Sequence, residues 1–126
     1  MKKKLDNLFN LEGKTIIVAG GSGQIGFSLC EAILNYGAKI IIIDLDINHA
    51  KEKARLLKDK YKDKIFFYKL DVSNSNGVKS IFEKISKNFN QIDGLVNSFH
   101  YKGNSRKLDY SQNFFDSLET FPIETW

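Results

Sequence analysis

A glycine-dense segment near the start of the chain contains the residues whose chemistry is easiest to interpret. Gly21 to Gly26 reads G-S-G-Q-I-G, which matches the pattern G-x-G-x-x-G, and Gly20 comes directly before it. Glycines at these spacings permit a sharp turn and bring bare backbone close to a diphosphate, while the first N–H groups of the following helix face the anion. The segment therefore predicts a dinucleotide-binding turn. The alternative is a tight strand-to-helix turn without a ligand.

The residues on either side of this segment favour the first interpretation. Residues 16–19 form a short apolar run rich in β-branched side chains, as in a buried parallel strand, and residues 27–36 have a helical pattern. Strand, glycine turn and helix are the context that the motif requires. The predicted core face of the helix comprises Ile25, Leu29, Ala32, Ile33 and Tyr36. The predicted cofactor contacts in this segment are Gly20, Ser22, Gly23, Gln24, Ile25 and Gly26.

Three polar residues, Asp44, Asp71 and Asn97, each follow a predicted strand. The carboxyl ends of parallel strands meet at one edge of a sheet, where open α/β sheets bind their ligands. Asp44 comes about 20 residues after the glycine motif, a spacing at which an acidic residue accepts hydrogen bonds from an adenosine ribose. The alternatives are structural: a helix cap at Asp44, an Asx turn at Asp71 and a loop role for Asn97.

The surroundings of Asp44 also predict which dinucleotide is preferred. A carboxylate beside the ribose repels a 2′-phosphate, and residues 45–47 (Leu, Asp, Ile) provide no basic side chain to bind one. The predicted cofactor is therefore NAD rather than NADP.

The remainder of the sequence alternates between strand and helix patterns. Further strands are predicted at 38–43, 64–70 and 92–96, with helices at 47–61 and 78–89 and a bend at Asp93-Gly94. This βαβαβαβ order predicts an α/β fold: a doubly wound parallel sheet, Rossmann-like, in three αβα layers. Residues 98–126 lack a clear period, and we expect an irregular loop followed by the start of a helix at Pro122. We predict a single domain over residues 1–126, incomplete on its C-terminal side.

Composition excludes several other classes of function. The net charge of +4 is spread over lysines interspersed with acidic residues, which argues against nucleic-acid binding. The longest aliphatic run, Ile40 to Ile43, is too short to span a membrane. A single cysteine, Cys30, cannot form an internal disulfide and fits the cytoplasm. The two histidines, His49 and His100, are too far apart in the sequence to suggest a metal site. Whether the chain forms an oligomer is left open.

The glycine segment and its flanks resemble the short-chain dehydrogenase/reductase family, from about residue 13 to residue 96 and more loosely to Trp126. Residues 19–26 are similar to the T-G-x-x-G-x-x-G form of its extended members. The classical form, T-G-x-x-x-G-x-G, would have threonine at Ala19 and glycine at Gln24.

The same resemblance assigns roles to the residues at the strand ends. It implies that Asp44 selects NAD and that Asp71 and Val72 contact the adenine. Residues 95–100 are similar to the family's N-N-A-G segment, of which only the first asparagine, Asn97, is present.

The family also has a proton donor, a tyrosine with a lysine four residues later and a serine upstream. None of the five tyrosines in this sequence has a lysine at that position. The resemblance therefore implies the cofactor-binding portion of an NAD(P)-dependent oxidoreductase, and we expect this portion to be inactive alone. The complete enzyme would transfer hydride between nicotinamide and an alcohol or carbonyl. The resemblance also suggests a sugar-related substrate. The chain would be truncated or completed by another chain. The alternative is a stand-alone dinucleotide-binding module or pseudoenzyme.

Overall fold

The computed structural model describes residues 8–99. Its strands and helices are β1 (Thr15–Ala19), α1 (Gln24–Asn35), β2 (Lys39–Asp44), α2 (Ile47–Ala54), α3 (Lys58–Tyr61), β3 (Ile65–Lys69), α4 (Ser75–Asn88) and β4 (Gly94–Asn97). The predicted loop and helix start lie outside the described residues, apart from Ser98 and Phe99.

The four strands form one parallel sheet in the order β3-β2-β1-β4. In the register, Val18 lies between Ile42 of β2 and Val96 of β4. The chain builds outward from β1 to β3 and then returns to the other side of β1. The carboxyl ends of all four strands therefore lie along one edge, and the strand order reverses between β1 and β4.

The side chains of the strands alternate between two apolar cores, one on each face of the sheet. The core on the α1 and α2 side contains Val18, Cys30, Leu34, Ile40, Ile42 and Ala50. The core on the α4 side contains Ile17, Ile41, Ile43, Leu70 and Ile85. Because β1 and β2 are covered on both faces, they consist almost entirely of apolar residues. The predicted parallel sheet with three αβα layers is confirmed.

The predicted core face of α1 is wrong for four of its five residues, and only Ile33 packs against the core. The buried residues of this helix are Gly26, Cys30 and Leu34. Four residues expected to face the sheet are instead exposed: Ala32, Ile25 at 73%, Leu29 at 38% and Tyr36 at 52%. The physical reason lies in Gly26, which packs against the glycine turn too closely for any side chain. This contact rotates the helix so that the row beginning at Gly26 faces the sheet.

Two local predictions also need correction. The single helix predicted at 47–61 is interrupted after Ala54, where the N–H groups of Arg55 and Leu57 bond to carbonyls three residues earlier. Such bonds tighten the chain into a turn that does not continue the α-helix. The predicted bend at Asp93-Gly94 is likewise absent, because Gly94 begins β4 and the Asp93 N–H already donates to Thr15 O at 2.8 Å.

Candidate functional site

The glycine turn is fixed to the carboxyl edge of the sheet by backbone hydrogen bonds. The Gly20 N–H donates to Ile43 O at 2.8 Å, which continues the β1–β2 ladder one residue beyond the strand. The Gly23 N–H then donates back to Gly20 O at 3.2 Å. Gly20 has a φ of 79°, a left-handed conformation that favours glycine. The turn is therefore an extension of the sheet with a defined shape.

Steric packing requires glycine at some positions of the motif and not at others. A Cβ on Gly26 would lie 2.2 Å from Gly20 O and 2.5 Å from Ser98 Oγ. A Cβ on Gly21 would lie 2.9 Å from Ile42 Cγ2, whereas one on Gly23 would lie no closer than 3.4 Å to Gly20 O. Gly26 and Gly21 thus bring helix, turn and strand together, and Gly23 is not sterically constrained.

The N-terminus of α1 presents backbone donors at this turn. Gly23 is the N-cap residue, and no side-chain hydrogen bond caps the helix within residues 8–99. The first N–H groups of a helix have no partner inside it, so those of Gln24, Ile25 and Gly26 remain available to an anion. Gly23, Gln24 and Ile25 are exposed, which leaves the approach to these groups open. Four of the predicted contacts therefore lie at one helix end.

Asp44 lies beside the turn, at the end of β2. Its Oδ2 accepts a hydrogen bond from the Ser22 N–H at 3.0 Å, and its Oδ1 accepts one from the Asp46 N–H at 3.2 Å. The helix-cap alternative for Asp44 does not apply, because Asp46 caps α2 by accepting from the His49 N–H at 3.1 Å. The structure therefore brings together Ser22 and Asp44, two of the predicted cofactor contacts.

The carboxylate of Asp44 is held in its charged form. Its partial burial alone would raise the pKa, but hydrogen bonds from the Ser22 side chain and backbone and from the backbone of Asp46 and Leu45 outweigh this effect and lower the pKa below 3.8. Among the described residues, no Lys or Arg lies within 4.0 Å of this carboxylate, since the ion pair in that range joins Lys14 to Asp93. Asp44 therefore keeps a negative charge at the rim of the site.

Lys53 is a residue of this site that the sequence analysis missed. Its Nζ donates to Ser22 O at 2.8 Å and lies 5.6 Å from the centre of the Phe27 ring. A signal was present in the sequence, because Lys53 follows Ala50 by three residues and so shares the apolar face of α2. Ser22 is thus bound on one side by Asp44 and on the other by Lys53.

Asp71 and Val72 follow β3 along the same edge. Asp71 Oδ1 accepts from the Ser73 N–H at 3.0 Å and the Ser73 Oγ at 2.7 Å, so the Asx-turn alternative describes its geometry. These hydrogen bonds from Ser73 lower the pKa of Asp71. Val72 is 42% exposed, and Asn74, rather than Asp71, caps α4. An adenine contact by Asp71 and Val72 stays a prediction.

Asn97 ends β4 on the opposite side of the glycine turn. Its Oδ1 accepts from the Phe99 N–H at 3.3 Å. The next residue, Ser98, makes the closer connection: its N–H donates to Ala19 O at 2.9 Å, and its Oγ lies 2.9 Å from Ala19 O and 3.1 Å from Gly20 O. Ser98 therefore fixes β4 to the turn. Sequence reasoning missed it, because a serine after a strand carries no signal of its own.

Neither a metal centre nor a membrane-spanning helix is present in the part of the chain that the structure describes. No group of three or more His, Cys, Asp or Glu side chains is placed to hold a metal ion there. Within that same range, no helix combines the length and apolar character needed to cross a membrane.

Comparison with known proteins identifies the family. The family model for short chain dehydrogenases matches residues 14–120, a range that includes every element from β1 to β4. The chain belongs to the short-chain dehydrogenase family. The parallel sheet, from β1 to β4, lies within the part of the chain that the short-chain dehydrogenase model matches.

Relatives of this short-chain dehydrogenase chain include a sorbose reductase and a protein named for flagellin modification. A sorbose reductase of Candida albicans is 38% identical over 90 residues, which cover 71% of this chain and 32% of that protein. A post-translational flagellin modification protein of Campylobacter coli is 28% identical over 109 residues, covering 86% of this chain and 43% of that protein. The chain thus spans less than half the length of these relatives.

Solved structures of short-chain dehydrogenases have the same fold as this chain and also extend beyond it. A 2-keto-3-deoxy-D-gluconate dehydrogenase from Streptococcus agalactiae superposes with a TM-score of 0.67 at 28% identity, covering 88% of this chain and 42% of that one. An L-sorbose reductase from Gluconobacter frateurii, solved with NADPH and L-sorbose, superposes with a TM-score of 0.66 at 25% identity, covering 82% and 40%. The short-chain dehydrogenase fold is therefore shared over most of this chain.

Proposed function

We propose that this chain is the cofactor-binding portion of an NAD(P)-dependent oxidoreductase and that it prefers NAD. The observation that carries the proposal is the Ser22 to Asp44 hydrogen bond of 3.0 Å, which places a charged carboxylate beside the open N-terminus of α1. A dinucleotide needs a diphosphate site and a ribose acceptor within one nucleoside's length of each other. These two groups meet that requirement.

The residues of the site fit a dinucleotide in distinct roles. The close packing at Gly26 keeps the first turn of α1 bare, so the backbone N–H groups of Gln24 and Ile25 bind and orient the diphosphate. The Asp44 carboxylate accepts hydrogen bonds from the ribose hydroxyls and repels a phosphate placed there. When bound, the cofactor supplies or accepts hydride at its nicotinamide. We assign no catalytic residue to this chain.

The proposed overall reaction is hydride transfer between nicotinamide and an alcohol or carbonyl. The names of two relatives, a sorbose reductase and a 2-keto-3-deoxy-D-gluconate dehydrogenase, support a sugar-related substrate. The proposed location is the cytoplasm, which suits the one cysteine, Cys30, whose thiol is buried and whose pKa burial raises to about 12.

A second candidate is a dinucleotide-binding module that does not catalyse a reaction. The absence of a Tyr-x-x-x-Lys sequence in the chain favours it. Both candidates predict that this chain alone does not turn over a substrate, and incubation with NAD and a polyol, followed at the absorbance of NADH, tests this shared expectation. We expect no turnover by this chain alone, and rapid turnover would contradict the statement that it lacks a catalytic residue.

Titration calorimetry with NAD and NADP tests the binding proposal. We expect NAD to bind more tightly than NADP, and Asp44→Asn to reduce or abolish this preference because the charge that repels the 2′-phosphate is gone. Asp46→Asn is the matched control, since asparagine also caps helices well and Asp46 lies two residues away. Equal affinity of the unmodified chain for both dinucleotides would contradict the role of Asp44.

A further inference from the structure

We propose that Lys53 limits the discrimination against a 2′-phosphate that Asp44 exerts, so that the site tolerates NADP while preferring NAD. This inference rests on the proposed function, because it concerns the ribose end of the same dinucleotide site. It assigns a specificity role to a residue of α2 that belongs to none of the sequence motifs described above.

The first argument is position. Ser22 is bound at its N–H by Asp44, at 3.0 Å, and at its carbonyl by Lys53, at 2.8 Å. The ammonium and the carboxylate are therefore separated by one residue and two hydrogen bonds. They do not form an ion pair, since their N and O atoms are more than 4.0 Å apart. A phosphate on a ribose held by Asp44 would thus lie within reach of the field of both charges.

The second argument is that Lys53 is held in place. It is half-buried on the apolar face of α2, and its ammonium also lies over the Phe27 ring at 5.6 Å. An ammonium has three N–H donors, and the Ser22 carbonyl accepts one of them. The charge is therefore fixed near the ribose position before any ligand binds, and donors remain for a phosphate oxygen.

A pair of small ligands tests this inference on the adenosine half of the site alone. 5′-AMP and 2′,5′-ADP differ only in the 2′-phosphate, so the ratio of their dissociation constants isolates its contribution. We expect Lys53→Met to weaken the binding of 2′,5′-ADP about three- to fivefold at low salt and to leave the binding of 5′-AMP within about twofold, the size measured for one solvent-exposed charge pair. The difference should shrink as ionic strength rises past about 0.1 M.

Two further variants are the controls. Lys51→Met removes a charge from an exposed position of the same helix and should change neither ligand's affinity. Lys53→Arg keeps the charge and should restore the affinity for 2′,5′-ADP. Circular dichroism of each variant shows whether it is folded.

The outcomes separate this inference from the proposed function. If Lys53→Met weakens both ligands equally, or neither, Lys53 has only a structural role and the inference is wrong, while the proposed function stands. If Lys53→Met does not fold, the dissociation constants of 5′-AMP and 2′,5′-ADP are measured for Lys53→Arg instead. A specificity role requires that Lys53→Arg preserve the ratio of these two constants. If the unmodified chain binds neither ligand, both proposals are wrong.

Discussion

The two edges of the sheet each contain an aspartate that accepts hydrogen bonds from backbone N–H groups, but only one of these aspartates is left open. At the amino edge, Asp93 accepts from the Thr15 N–H at 2.9 Å and from Lys14 Nζ at 3.0 Å. At the carboxyl edge, Asp44 is bound by the Ser22 N–H, and the nearby Lys53 bonds to a carbonyl instead. The two sites therefore differ in what the nearby lysine donates to: Lys14 donates to the aspartate itself, whereas Lys53 donates to the Ser22 carbonyl.

This comparison separates a structural aspartate from one available to a ligand. Asp93 joins β4 to the start of β1 with its charge paired directly, and Gln91 also donates to it, at 2.6 Å. Asp44 has no cation in contact within the described residues. Asp44 is stabilised by hydrogen bonds and not by a cation, and a charged group at a cleft without a counter-ion is a candidate for binding a ligand. The four predictions below test this division, from the largest expected effect to the smallest.

Gly26→Ala should have the largest effect. Its Cβ would meet Gly20 O at 2.2 Å, and both are backbone-fixed, so α1 must move away from the turn. We expect a loss of about 2–4 kcal/mol in the free energy of unfolding, measured by urea titration, together with loss of dinucleotide binding. Gly23→Ala is the control and should cost less than about 1 kcal/mol, because Gly23 has a φ of −64° and space for a Cβ. Equal losses would refute the packing argument.

Asp93→Ala should destabilise the fold without changing ligand selectivity. It leaves the buried Thr15 N–H without its acceptor and releases Lys14, so the midpoint of urea unfolding should fall. Asp44→Asn should show the reverse: little change in the midpoint and a changed ratio of NAD to NADP affinity. A shift of the affinity ratio in Asp93→Ala would mean that the two edges are not independent.

Acid should weaken both edges, but only at the carboxyl edge should it also change ligand selectivity. The pKa of Asp93 is lowered by the Thr15 N–H and Lys14, as that of Asp44 is lowered by the hydrogen bonds that outweigh its burial. A carboxyl group with a lower pKa in the folded chain stabilises it above the ordinary value of 3.8, and this contribution is lost as the pH falls through and below that value.

The measurement is urea unfolding from pH 7 down to about pH 3. We expect a plateau at neutral pH and a fall below about pH 5, shallower in Asp44→Asn and in Asp93→Asn than in the unmodified chain. Only protonation of Asp44 should also reduce the preference for NAD. An Asp44→Asn profile that falls as steeply as the unmodified one would show that this carboxylate is not stabilised in the folded state.

The smallest expected effect is on the thiol labelling of Cys30, which lies in the core between the two edges and reports opening of the fold there. It is fully buried, and burial raises its pKa to about 12, so at pH 8 a thiol reagent should label it only when the fold opens. Asp93→Ala should speed this labelling and Asp44→Asn should not. Rapid labelling of the unmodified chain would contradict the burial of this thiol, and full labelling in urea is the control.

Much of the fold and part of the site could be predicted from the sequence. The parallel sheet followed from apolar runs too continuous for a half-exposed strand, such as Ile40 to Ile43. The location of the glycine turn and of Asp44 at the carboxyl edge followed from the motif and its spacing. These features depend on local pattern and on the rule that carboxyl ends of parallel strands share one edge.

What could not be predicted depends on contacts between distant segments. The orientation of α1 is set by the approach of Gly26 to Gly20 and Ser98, which outweighs the apolar row that includes Ile25 and Leu29. Ser98 and Lys53 reach the turn from β4 and α2, at separations in sequence that no short motif spans. The interruption of the predicted helix after Ala54 could not be predicted either, because no Gly or Pro occurs there.

The bond from the Gly20 N–H to Ile43 O has a kinetic consequence. Because the turn is held as part of the sheet, a nucleotide that approaches it meets backbone that is already in place in the described part of the chain. Its arrival should then be limited by diffusion and orientation, with association rates of about 10⁶ M⁻¹s⁻¹ or more. Differences in affinity between nucleotides should accordingly appear in their dissociation rates.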